Sequence, residues 1–351
     1  MRRPRCFCGD ILTHMRAAWE RLPGRWAAAV AAVALLAAAH AARAQGPVAV
    51  PAARQATNVA IVPVRGEIDA VTRASVERRI ATAAANGAGA AVIELDTPGG
   101  EMYSTLELCL WLKDRAPLPV WAWVRPKAYS AGTIIALACR GILVSPGAAF
   151  GDAAPISAIP GLGLQPLPAA ERAKLEAPIL AEVVDSARRN GYDETLVRAF
   201  VSAPDEAWLL ERDEPRTRIC VGRQEFREAF GHEPPTTRTA GAARAAEIDP
   251  APIVPFFDRS LRRRAGDDGP RTAAERDAVV ADQQTRPPVR ERLRPGASAE
   301  WKVVTQVDGA EELLVLYAPE ALAFGLAQRE VPDDRALAGW FGATSVTRLE
   351  E

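Results

Sequence analysis

A serine and a pair of glycines carry the first chemical signal in this chain. Ser130 lies in Ala128-Tyr-Ser-Ala-Gly-Thr-Ile-Ile-Ala-Leu137, thirty residues after Gly100 closes the run Ala91-Val-Ile-Glu-Leu-Asp-Thr-Pro-Gly-Gly100. A hydroxyl at a helix start can act as a nucleophile, and glycine N–H groups that no side chain shields can bind the oxyanion it creates. Each feature also has an ordinary reading. Ser130 alone is a helix N-cap, and Gly99 and Gly100 alone are a strand-to-helix turn after Pro98.

A nucleophilic hydroxyl needs a base, and the chain offers few. His14 and His40 lie in an N-terminal lead, and His232 sits beside Glu233-Pro-Pro in a proline-rich stretch, so a Ser-His-Asp triad would have to rest on His232. Lysine can serve instead when burial populates its neutral amine. There are four: Lys113, Lys127, Lys174 and Lys302. Lys113 ends an amphipathic helix beside Asp114 and Arg115 and reads as a solvated C-terminal cation. Lys302 has no motif around it, and Lys127, three residues before Ser130, reads as a surface-loop residue or an alternative base. Lys174, among Ala173, Ala177 and Ala181, reads by itself as solvated.

The elements that must position these groups alternate. Strands are predicted at Asn58 to Val64, Ala90 to Asp96, Val120 to Val124 and Ile142 to Ser145. The intervening helices are Ala70 to Ala85, Glu101 to Arg115 and Ser130 to Cys139. Continuously apolar strands alternating with helices imply a parallel sheet buried on both faces, with sites at the strand carboxyl ends. A helical region follows from Glu171 to Ser202, where Leu175, Ile179, Val183 and Ala187 recur at helical spacing. Nine prolines and many charges between 231 and 300 make 205–300 a poor candidate for a packed core, flanked by strands at Arg218 to Gly222 and Trp301 to Val307. Regular patterning resumes at Glu312 to Tyr317, Pro319 to Phe324 and Arg335 to Trp340.

Composition is that of an ordinary globular protein, 351 residues with 48% hydrophobic and 25% charged. The first 44 residues hold seven arginines against Asp10 and Glu20, leaving a body of 36 basic and 42 acidic residues, which argues against nucleic-acid binding. That lead continues into an apolar run of 13 residues, Ala27 to Ala39, then Ala42-Arg-Ala44. Such a pattern predicts a signal peptide, with an uncleaved anchor as the rival, and hence export to the periplasm or the outer face of the membrane. Cys109, Cys139 and Cys220, odd in number and set among apolar residues, are expected to be buried free thiols.

Several segments in one order resemble the NfeD-type serine proteases of the Clp-protease and crotonase superfamily. They are Val62-Pro-Val-Arg-Gly-Glu-Ile-Asp69, Ile93-Glu-Leu-Asp-Thr-Pro-Gly-Gly100, Ser130-Ala-Gly-Thr133, Ser145-Pro-Gly147, Phe150-Gly-Asp-Ala-Ala-Pro155 and Leu313 to Ala327. The resemblance implies an α/β crotonase-like (ClpP-like) fold of repeated ββα units on a largely parallel sheet, interrupted by a long, partly disordered insertion. The expected organisation is lead 1–44, linker 45–57, catalytic core 58–204, insertion 205–300 and C-terminal completion 301–351. It implies a Ser-Lys dyad: Ser130 matches the nucleophile, and Lys174, standing before Arg188-Arg-Asn-Gly191, matches the base. Backbone N–H groups of Gly100, or Gly99, and of Ala131 would hold the oxyanion. Pro178 and Asp152 depart from the pattern, one by interrupting the lysine's helix and the other by offering it a carboxylate partner.

The implied activity is an exported serine endopeptidase acting on apolar peptide segments of membrane proteins. The resemblance also implies stomatin-like partners and a homodimer or larger homo-oligomer, and calls for no cofactor and no metal. Two rival readings remain: a catalytically inactive envelope scaffold, and a crotonase-like acyl-CoA hydratase or thioesterase.

Overall fold

The computed structural model describes residues 50–159, 163–165, 169–235 and 288–350. Strands β1 (Asn58–Ile68), β2 (Ala90–Gly100) and β3 (Val120–Tyr129) alternate with helices α1 (Ala70–Ala85), α2 (Met102–Asp114) and α3 (Ala131–Ala138). Short strands β4 (Ile142–Val144) and β5 (Ala149–Gly151) follow, then a hairpin of β6 (Ser157–Ile159) and β7 (Gly163–Gln165). Helices α4 (Ala169–Asn190) and α5 (Glu194–Ala199) precede strands β8 (Ala207–Arg212) and β9 (Thr217–Val221) and helix α6 (Arg223–Phe230). After residue 288 come β10 (Lys302–Asp308), β11 (Val315–Tyr317), α7 (Ala318–Ala323), β12 (Ala327–Glu330), α8 (Asp334–Phe341) and β13 (Ser345–Arg348).

The main sheet has the order β11-β5-β3-β2-β1-β13, with β4 joining β3 to β12. Every pairing in it is parallel except that of β11 with β5. This is the α/β class expected from the sequence. Alternation along the strands divides the core in two. Val62, Val64, Ile93, Leu95, Ala122 and Val124 face α1 to α4. On the other face, Ile61, Val92, Trp121 and Trp123 pack under α8, where Trp121 meets Phe341 edge-on at 4.9 Å.

The strands run longer than their apolar runs suggest. β2 continues through Pro98 to Gly100 beside Ile68, and β3 continues past Pro126 to Tyr129, because its two halves take different partners. Ala122–Val124 pair with β4 and Lys127–Tyr129 with β5.

Part of the stretch assigned to an insertion is built into the structure. β8 is the middle strand of a small antiparallel sheet, β10-β8-β9, so the two strands expected to flank the insertion both pair with a strand the composition hid. Trp208, Leu210, Val221, Phe226 and Trp301 form its core. Arg290 returns to the same unit through a paired contact with Glu225. The expected disorder, where it falls on 236–287, and the expected signal segment both lie outside the described residues.

The three cysteines are buried free thiols, as expected. Lys113 is not the solvated cation its sequence context suggests. Its side chain is 3% exposed and donates to Glu182 and Asp185 of α4, each at 2.7 Å. Arg189 extends the network to Asp185 at 3.0 Å and Asp114 at 2.9 Å, locking α4 to α2. Burial pulls the Lys113 ammonium down, but the charges of Glu182 and Asp185 outweigh it and hold the group above its ordinary range. The stabilisation is therefore complete below about pH 10.4 and is lost as pH rises through the higher folded-state value. Lys113→Ala, which leaves Glu182 without its cation and Asp185 with Arg189 alone, should lower the unfolding free energy at pH 7 by about 3 kcal/mol in urea titration. A loss below 1 kcal/mol would show that water reaches the cluster.

Candidate active site

Parallel neighbours end at the same edge, so β2 and β3 deliver Gly99, Gly100 and Ser130 together. The register Thr97↔Ala128 fixes this alignment. Ser130 forms the turn from β3 into α3 with φ 49° and ψ −117°, a conformation that L-residues other than glycine rarely adopt. Its N–H is held by the carbonyls of Gly151 and Asp152, both at 3.1 Å. A strained strand-to-helix turn of this kind lifts a side chain clear of the backbone, as in nucleophile elbows.

The helix-cap reading of Ser130 fails on the hydroxyl itself. Ser130 stands at the N-cap position of α3, yet its side chain caps no N–H. Ala131, the first helical residue, has no intrahelical acceptor for its N–H, so that donor is left facing the turn. A methyl added to Gly99 would lie 2.6 Å from Ser130 Cβ, 3.1 Å from Oγ and 3.5 Å from the Ala131 nitrogen. Hydroxyl, amide and glycine thus converge at one point.

Among the expected oxyanion donors, Gly99 is otherwise engaged. Its N–H donates to Thr97 Oγ1 at 3.0 Å. Gly100 and Ala131 remain, with Gly100 so close to β1 that a Cβ would meet the Ile68 carbonyl at 2.1 Å. Thr97 also packs on Gly132, where a Cβ would approach its Cγ2 to 2.5 Å, so the β2 end rests directly on the first turn of α3. Thr97 and Gly132 escaped the sequence reading. The only available signal was a small β-branched residue before Pro-Gly-Gly and a glycine two positions after the serine.

Lys174 lies inside α4, which runs unbroken from Ala169 to Asn190 despite Pro178. The expected interruption does not occur, but Pro178 has no N–H and leaves the Lys174 carbonyl without its helical partner. Beyond Pro178 the helix is firmly held. Ile179, Val183 and Ala187 are buried, and Asn190 Nδ2 donates to the Leu137 and Cys139 carbonyls at 2.9 and 2.8 Å, capping the far end of the serine's own helix. Before Pro178, Lys174 and its neighbours Ala173 and Ala177 are exposed. No hydrogen bond or ion pair joins Lys174 to Ser130 or to Asp152, which is itself exposed.

The other candidate bases lie elsewhere. His232 is exposed and packs edge-on against Phe226 and Phe230. Lys302 pairs with Asp213. Lys127 is exposed and, by strand alternation, occupies the sheet face opposite Ala128, which lies under α3.

Residues 58–214 match the family model described as NfeD1b, N-terminal domain. Residues 58–214 are of the NfeD type. The membrane-bound protease PH1510 of Pyrococcus horikoshii is 29% identical over 163 residues, which are 42% of this chain and 35% of that protein. The chain thus spans about a third of the length of this curated relative. A solved 1510-N membrane-bound stomatin-specific protease, a lysine-to-alanine mutant in complex with a substrate peptide, is 25% identical. That match covers 49% of this chain and 71% of the other, with a TM-score of 0.38. The 1510-N membrane protease specific for a stomatin homolog from Pyrococcus horikoshii is 27% identical over 41% of this chain and 63% of its own, with a TM-score of 0.32. The matched core has the α/β class with a largely parallel sheet that the motifs implied.

The packing of this NfeD-type turn can be separated from simple backbone strain. Gly99 and Gly147 both have positive φ, but a Cβ at Gly147 meets nothing within 4 Å. Gly147→Ala should cost about 1–2 kcal/mol, the penalty for a left-handed residue. Gly99→Ala should cost clearly more, about 2–4 kcal/mol in urea unfolding, since it also displaces Ser130. Equal losses would mean the turn yields freely.

Proposed function

We propose that the chain is an exported, membrane-associated serine endopeptidase of the NfeD type, with Ser130 as nucleophile and Lys174 as base. The observation that carries the reading is a serine at a strained turn whose hydroxyl is left uncapped beside Gly99 and the Ala131 amide. Neutral Lys174 Nζ takes the Ser130 Oγ proton as Oγ bonds to the scissile carbonyl carbon. The N–H groups of Gly100 and Ala131 hold the oxyanion. The lysine ammonium then protonates the departing amine; neutral Lys174 next takes a proton from water as the water oxygen bonds to the acyl carbon, and returns it to Ser130 Oγ as the ester bond breaks.

The substrate we assign is an apolar segment of a membrane protein of stomatin-like kind, and the acting form is a homodimer or larger homo-oligomer. Apolar side chains exposed on segments adjoining the site support the first part. Tyr103, just after the Gly100 turn, is 71% exposed, and Ile156, after Asp152, is 73% exposed. Export and membrane association rest on the lead and on the family. No helix among the described residues is long and apolar enough to cross a membrane.

The exposure of Lys174 favours one second reading, a scaffold of the same fold that binds without cleaving. In the peptidase reading, Lys174 becomes a base once substrate or a second copy covers its turn of α4, since burial lowers a lysine's pKa. A fluorophosphonate probe and an apolar peptide substrate, used on the full chain, distinguish the two. Ser130→Ala should abolish labelling, and Lys174→Ala should slow peptide cleavage about 10²–10⁴-fold, the usual share of a general base. Labelling that persists in Ser130→Ala removes the nucleophile, and undiminished cleavage in Lys174→Ala removes the dyad. Folded wild-type protein that neither labels nor cleaves establishes the scaffold.

A further inference from the structure

Three residues around the Ser130 turn hold backbone conformations that ordinarily belong to glycine or cost energy: Ser130 with φ 49°, Gly151 with φ 144° and Asp152 with φ 47°. Such strain persists only where the surroundings over-determine it. The neighbouring strand contributes the carbonyls of Gly151 and Asp152 that grip the Ser130 N–H. One side chain ties that strand to the turn.

Thr133 is fully buried, with no exposed surface. Its Oγ1 lies 2.7 Å from the Ala128 carbonyl and 2.9 Å from the Gly151 carbonyl, and it accepts the Gly151 N–H at 2.8 Å. One hydroxyl therefore bridges the last turn of β3, the first turn of α3 and the end of β5. The Gly151 carbonyl it reaches is also an acceptor of the Ser130 N–H. Packing of Thr97 against Gly132 presses α3 onto β2, whereas the carbonyls that grip Ser130 belong to β5 and the residue after it.

We infer that Thr133 is a positioning residue for Ser130, its hydroxyl clamping β5 to the start of α3 so that the serine is held at its strained turn. This rests on the reading of Ser130 as nucleophile. A methyl in place of the hydroxyl leaves the Gly151 N–H and the Ala128 carbonyl buried without their partner. The strand end then shifts to satisfy them, and the serine loses its aim. A displacement of about 1 Å costs an oriented reaction about 10²-fold.

The test compares Thr133→Val with Thr133→Ser in the full chain, each followed by the rate of Ser130 labelling with a fluorophosphonate and by thermal unfolding. Thr133→Val should label about 10²-fold more slowly at temperatures where it is folded, and peptide cleavage should lose kcat with KM unchanged. Thr133→Ser, which keeps the hydroxyl, should label within about threefold of wild type. Thr217→Val removes a hydroxyl bonded to the Pro215 carbonyl in the small sheet. It should lower the unfolding midpoint without altering the labelling rate, which separates positioning from general stability.

A folded Thr133→Val protein that labels within threefold of wild type overturns the proposal, as does Thr133→Ser labelling as slowly as valine. If the valine variant does not fold, Thr133→Cys, with its weak donor, takes its place under the same criterion. Hydrogen exchange of the Ser130 amide gives a readout independent of reactivity and should quicken at least tenfold in the valine variant. Absence of labelling in wild type defeats the nucleophile reading alone, whereas unchanged Ser130 exchange in Thr133→Val defeats the clamp.

Discussion

The site depends on the parallel pairing of β2 with β3 in the register Thr97↔Ala128. Strand faces alternate residue by residue, so a slip of one would turn Thr97 away from α3 and move Gly99 from beneath Ser130. Upstream the register is specified by apolar residues, and an irregularity between Leu95 and Thr97 then advances β3 by two residues, bringing Ala128 beside Thr97. Ile93 and Leu95 with Ala122 and Val124 face the helices, while Val92 with Trp121 and Trp123 faces α8. Both faces are buried, and neither tolerates a shift. The carboxyl ends of the strands are thus positioned by hydrophobic burial along their length together with the irregularity before Thr97 and the pairing of Lys127–Tyr129 with β5.

The second element of the proposed dyad is positioned differently. Beyond Pro178, α4 is held by the Lys113 cluster toward α2 and by Asn190 toward α3. Asn190 binds the carbonyl end of the helix whose amino end carries Ser130, so the two helices are tied at that end. Lys174 precedes Pro178 and is exposed, and its carbonyl lacks a helical hydrogen bond. In the proposed site, Ser130 and the amides of Gly100 and Ala131 are thus preorganised, and Lys174 is not. In the proposed enzyme, a site divided in this way would gain its base from whatever covers α4.

Legibility in the sequence followed the range of the physical cause. Helix periodicity and apolar runs are local, and α1, α2 and α3 lie within a residue or two of where the pattern put them. The Gly-Gly and Ser130 signals were readable because only particular backbones suit them. Strand ends were less readable, since β3 extends to Tyr129 through pairing with β5, a partner twenty residues away that no local pattern announces. β8 was hidden for the same reason: Ala207-Trp-Leu-Leu is short, and its worth lies in β10, nearly a hundred residues on. Thr133 lay within a quoted motif, yet its role depends on Gly151 and could not be read from spacing.

Lys113 and Lys174 show why residue type alone cannot name a base. Context at the end of a helix made Lys113 look solvated, but Glu182 and Asp185, some seventy residues later in sequence, bury it and hold its proton. Burial with carboxylates raises a lysine's affinity for its proton, and burial without them lowers it. Lys113 is therefore excluded from proton abstraction by the very contacts that make it structural. Lys302 is excluded from the site by Asp213, and Lys127 by the face of the sheet it occupies. Lys174, with no carboxylate among the described residues bound to it, is the lysine that covering would convert into a base in the proposed enzyme. In the proposed enzyme, the surface that covers it both delivers the peptide and switches on the amine that Ser130 requires.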